Sequence, residues 1–133
     1  FIQFLRQLRT MERKKFENLV NQAYERIPQK FRDKIDNVSI MVEDYPSKRD
    51  LETLKIRGKG LLLGLYRGTP LPQRSVWQGV RLPDEIVLFQ KDIEKVCRND
   101  VEIEERVNEV LQHEIAHYFG LNDDEIYELM GRH

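Results

Sequence analysis

From Asp100 to Phe119 the apolar residues Ile103, Val107, Val110, Leu111 and Tyr118 recur at helical spacing. They make one stripe along a long helix, and such a stripe has to be covered by other parts of the chain. Gly120 follows directly, and a glycine just past a helix end can take φ > 0 and turn the chain sharply. Whatever else the sequence does, it must build a layer that packs on this helix.

The preceding segments offer that layer. Phe16, Leu19, Val20, Ala23 and Ile27 stand at helical spacing and end at Pro28, so a helix is expected there. Phe1, Phe4, Leu5 and Leu8 give residues 1–10 the look of a helical extension. Val38–Val42 reads as a strand and Asp44–Asp50, with Pro46, as a loop. Gly60–Tyr66 is strongly apolar, which suggests a central strand. Gly68–Gly79, with Pro70, Pro72 and Trp77, reads as a long irregular loop, and Glu85–Phe89 as a third strand. Short helices are expected over Asp92–Cys97 and Asp123–Met130. This order of elements predicts an α+β domain spanning residues 1–133, with a small sheet on the long helix and further helices flanking it.

Lys plus Arg number 22 and Asp plus Glu 23, for a net charge of -1. That balance gives no electrostatic reason for nucleic acid or an anionic membrane as partner. No apolar run approaches the ~18 residues that span a bilayer. Cys97 is the single cysteine, which excludes an internal disulfide and a thiolate-rich metal site. A cytoplasmic setting is the expectation.

Within the long helix lies His113-Glu114-Ile115-Ala116-His117, an HExxH pattern. Residues four apart on a helix lie one turn apart on one face, so two imidazoles so spaced can hold one Zn²⁺ ion. Glu114 between them suits a general base acting on metal-bound water. At 100° per residue Glu114 falls within the apolar stripe, where a carboxylate is costly unless something pairs with it. Beyond Gly120 the pattern extends to HExxHxxGxxD, and the turn brings Asp123 into position as a third ligand. Asp124, Glu125, Glu128 and His133 compete for that role. Asp123 is also suited to cap the last helix; if it holds the metal instead, Asp124 could take the cap. Met130 reads as core.

The sequence resembles a family of small, mostly bacterial zincin-like metallopeptidases. The resemblance runs from about Met11 and rests on four stretches. They are Phe16-Glu17-x-Leu19-Val20, Gly64-Leu65-Tyr66-x-Gly68-x-Pro70-Leu71, Leu82-Pro83-Asp84-x-Ile86, and the HExxH segment with Phe119, Gly120 and Asp123. It implies a minimal zincin-like fold, a small mixed sheet on a long active-site helix, with zinc on His113, His117 and Asp123. It implies a peptide or protein substrate cleaved by water that Glu114 activates. Tyr66, Tyr118 and Tyr127 are candidates to assist at the oxyanion. Only 13 residues follow Gly120, too few for a large far wall to a substrate cleft. A zinc-stabilised interaction module, its site closed by His133 or Glu128, is therefore the alternative, and hydrolysis of a non-peptide amide a third.

Overall fold

The computed structural model describes residues 11–35, 37–53, 62–68, 84–122, 124 and 125. Residues 1–10 and the greater part of the expected loop over Gly68–Gly79 lie outside them, as do Asp123 and Tyr127–His133. The described elements run in the order α1 (Arg13–Glu25), α2 (Gln29–Arg32), β1 (Val38–Glu43) and α3 (Lys48–Thr53). They continue with β2 (Gly64–Arg67), β3 (Asp84–Phe89), α4 (Gln90–Lys95) and α5 (Asp100–Phe119). The class is α+β, as the element order predicts, with a three-stranded mixed sheet and α5 as the long helix.

The strand order is β1-β3-β2, with β1 parallel and β2 antiparallel to β3. β3 is therefore the centre of the sheet, and its Ile86-Val87-Leu88-Phe89 run explains why. Ile86 and Leu88 face the main core, while Val87 and Phe89 join Leu65 in a second cluster. A strand buried on both faces needs apolar residues at successive positions. This corrects the expectation that Gly60–Tyr66 supplies the central strand. β2 begins only at Gly64 and is an edge of the described sheet. The leucines before it have another use, described below.

The main core joins α1, β3 and α5. Phe16, Val20 and Ala23 from α1, with Ile27 just past its end, meet Ile103, Val107, Val110, Leu111 and Ile115 from α5, with Ile86 and Leu88 beneath. Burying such side chains contributes about 1.5–3 kcal/mol each before the entropy of ordering them is set against it. Gln90, almost fully buried, fastens the segment that opens α1 to this core. Its Nε2 donates to the Met11 carbonyl at 2.7 Å and its Oε1 accepts from Arg13 Nε at 2.7 Å. Two local expectations shift. The Asp44–Asp50 loop gives way to α3 at Lys48, where Ser47 and Asp50 cap each other's backbone N–H groups at 3.0 and 2.9 Å. The Asp92–Cys97 helix starts earlier, at Gln90, directly on the end of β3.

Candidate metal centre

α5 presents its site residues because both its ends are fixed. At the start, Asn99 Oδ1 accepts from the Glu102 N–H at 2.9 Å, and Asp100 and Glu102 place negative charge at the positive end of the helix dipole. At the end, Gly120 adopts φ 69 and ψ 31. The Gly120 N–H donates to His117 O and the Leu121 N–H to Ala116 O, both at 3.0 Å. This pair of bonds is a Schellman motif, and it turns the chain away within two residues. Asn122 and Glu125 then form a reciprocal capping box: the Glu125 N–H donates to Asn122 Oδ1 at 2.8 Å and the Asn122 N–H to Glu125 Oε1 at 3.1 Å. The cap weighed for Asp123 or Asp124 thus falls to Asn122. Asp123 itself lies outside the described residues.

The structure brings His113, Glu114 and His117 together, with one ligand atom from each within 4.8 Å of the others. The two imidazoles are exposed and their centroids are 4.6 Å apart. Glu114 is only 6% exposed, as its place on the apolar stripe predicts. Its Oε1 lies 3.2 Å from His117 Nδ1. With Nδ1–H donating to that carboxylate, the neutral ring keeps Nε2 as its free acceptor. The hydrogen bond to Glu114 favours the protonated ring and raises the His117 pKa, against the opposing effect of partial burial. Two solvent-facing imidazole donors beside a buried carboxylate fit a borderline-soft divalent cation.

The trio opens into a cleft of about 650 Å³ between α5 and β2. Leu62, Leu63 and Leu65 form its apolar wall, which accounts for the apolarity that suggested a central strand. Gly64 brings this wall close to the site. A Cβ at Gly64 would stand 2.5 Å from Val110 Cγ1 and 3.3 Å from Glu114 Cγ, so any larger residue would force Val110 or the strand to shift. Tyr66 also lines the cleft, and its hydroxyl donates to Asp84 Oδ2 at 2.7 Å. A phenol has one proton to donate, so this bond leaves Tyr66 none for an oxyanion. Tyr118 is fully buried and packs edge-on against Tyr66, while Tyr127 lies outside the described residues. Arg106, Glu109 and Val110 complete the helix side of the cleft. Arg106 and Glu109 were not singled out from the sequence, although Arg106, Val110, His113 and His117 follow the i, i+4, i+7, i+11 spacing of one helix face.

A family model described as zincin-like metallopeptidase matches residues 35–132. The chain belongs to the zincin-like metallopeptidase family. The small mixed sheet against a long helix is accordingly a minimal zincin fold. Among solved structures, a conserved hypothetical protein from Thermo thermophilus is similar, at 23% identity and a TM-score of 0.55. The match covers 92% of this zincin and 100% of that chain, and it speaks to the fold alone. No curated protein matches. No helix among the described residues is long and apolar enough to cross a membrane.

Proposed function

We propose that this zincin is a zinc-dependent peptidase in which His113, His117 and Asp123 hold the metal and Glu114 is the general base. The observation that supports it most directly is the buried Glu114 carboxylate between two exposed imidazoles at the head of an apolar cleft. A buried carboxylate is costly in a purely structural role, whereas a base needs to meet water away from bulk solvent. The Asn122 cap also supports the ligand set, since it relieves Asp123 of a competing duty.

When bound, zinc supplies the Lewis acidity that polarises a carbonyl and acidifies water. The chain's own residues do the rest. Glu114, fixed by its contact with His117 and by the close approach of Gly64, accepts a proton from the attacking water at its carboxylate. It then returns that proton to the departing amine, as a general base turned acid. The leucine wall orients an extended peptide and excludes water around the reacting carbonyl.

Titration of zinc into tag-free protein tests the ligand set. The expected result is one ion per chain, with affinity lowered about 10-fold or more in His113→Ala, His117→Ala and Asp123→Ala, since even loss of outer partners costs 10–100-fold. Unchanged affinity in Asp123→Ala together with a loss in Asp124→Ala or His133→Ala would reassign the third ligand. Loss of zinc binding in Glu114→Gln would make Glu114 a ligand and favour the interaction module.

A further inference from the structure

The helix side of the cleft holds a cation that the chemistry above does not use. Arg106 shares the face of Val110, His113 and His117 and lines the same cleft. Seven residues at 1.5 Å rise place it about 10 Å along the helix from His113. An extended peptide advances about 3.3 Å per residue, so that distance is about three residues of substrate.

The charge of Arg106 is only loosely held. Its ion pair with Glu109 is 4.0 Å long, and the two side chains are 42% and 41% exposed. Such pairs are worth about 0–1 kcal/mol and exchange readily for a better partner. Glu102, one turn away, is engaged by Arg98 through the guanidinium at 2.8 Å and the backbone N–H at 2.8 Å. Arg106 also hydrogen-bonds the Cys97 sulfur, a weak acceptor compared with a carboxylate; burial pushes that thiol's pKa up, against the opposing effect of Arg106. Between Arg106 and the histidines the cleft is lined by Val110 and the leucines of the opposite wall, with Glu109 beside Arg106 as the carboxylate that a substrate carboxylate would displace.

We propose that Arg106 is a specificity-determining residue that binds a peptide carboxylate about three residues from the bond placed at His113 and His117, across a stretch that prefers apolar side chains. This deepens the peptidase reading and rests on it for the identity of the ligand. A guanidinium forks onto a carboxylate through two parallel N–H donors, which a neutral amide cannot match.

The test is binding, measured by fluorescence anisotropy on the zinc-loaded Glu114→Gln chain so that peptides persist. The probes are labelled, amidated peptides with a central Leu-Leu and a Glu three residues to either side, each paired with its Gln isostere. A third set ends in a free carboxylate at the same distance. At least one acidic peptide should bind about fivefold or more tightly than its neutral isostere. Adding Arg106→Gln should abolish that preference, Arg106→Lys should keep part of it, and Lys14→Gln, an equal charge change on the exposed face of α1, should keep it all. Preference for the Glu peptides identifies an acidic side chain as the ligand, and preference confined to the third set identifies a chain terminus; either supports the assignment. Equal binding of acid and amide, a preference that survives Arg106→Gln, or no binding overturns it. Peptide cleavage without acid preference sinks Arg106 and leaves the peptidase standing. Acid preference lost in Arg106→Gln, in a chain that cleaves nothing, upholds Arg106 and counts against the peptidase.

Discussion

Gly64 shows how far one residue can govern the site. Any side chain there meets Val110 at 2.5 Å, and the next contacts are Glu114 and the Val87 carbonyl, both at 3.3 Å. Gly64→Ala should therefore cost about 1–3 kcal/mol, the range for overpacking a tight contact, and should displace Glu114. Thermal unfolding measures the first effect. The second should appear as a fall in any peptidase kcat larger than the change in zinc affinity. Wild-type stability in Gly64→Ala would show that the strand has room to move. The three residues His113, Glu114 and His117 were legible from sequence because the helix ties spacing to direction. Arg106 and the leucine wall were not, since they become neighbours only when β2 is laid antiparallel on β3 and against α5.

At the scale of elements, α5 depends on its glycine cap. Gly120 has φ 69, a conformation that costs an ordinary L-residue about 1–2 kcal/mol. Gly120→Ala should lower stability by about that amount and also weaken zinc binding, because the turn leads from His117 to the segment holding Asp123. Calorimetric unfolding with and without zinc separates the two losses; a loss equal in both would confine Gly120 to stability. The long helix and α1 could be read directly because their apolar stripes are periodic. The sheet was harder. An apolar run such as Leu61–Leu65 has the same composition whether it is a central strand or the wall of a cleft. Strand order is fixed by distant pairing, and here it put β3 in the middle. The capping of the last turn by Asn122 rather than Asp123 is a shift of one residue that composition cannot resolve.

At the scale of the whole molecule, Arg67 ties the cleft-bearing strand to the rest of the sheet and to α3. Its guanidinium bonds Asp50 at 2.7 Å and Glu43 at 3.2 Å, with Glu85 at 3.8 Å. Burial works against the charge of Asp50, but the hydrogen bonds from Arg67 and from Ser47 outweigh it and hold its pKa below the ordinary 3.8. Because folding lowers this pKa, the stabilisation is fully present above pH 3.8 and is lost as pH falls through the lower folded value. Acid unfolding followed by circular dichroism should show Asp50→Asn with a weaker loss of stability between pH 4 and pH 2 than wild type, by the linkage between proton binding and folding. Parallel curves would remove Asp50 from the account. Arg67→Ala should cost about 3 kcal/mol at neutral pH, the low end for breaking a buried pair because Arg67 keeps 28% exposure. The central claim, that Glu114 is a base and the molecule a peptidase, is tested most directly by one rate comparison. Zinc-loaded wild type and zinc-loaded Glu114→Gln are incubated with a degenerate peptide mixture, and new amino termini are counted over time. Wild type should cleave, and the rate should be lower by about 10²-fold or more in Glu114→Gln, at equal zinc content. Equal rates in the two proteins, or no cleavage by zinc-loaded wild type, would contradict the central claim.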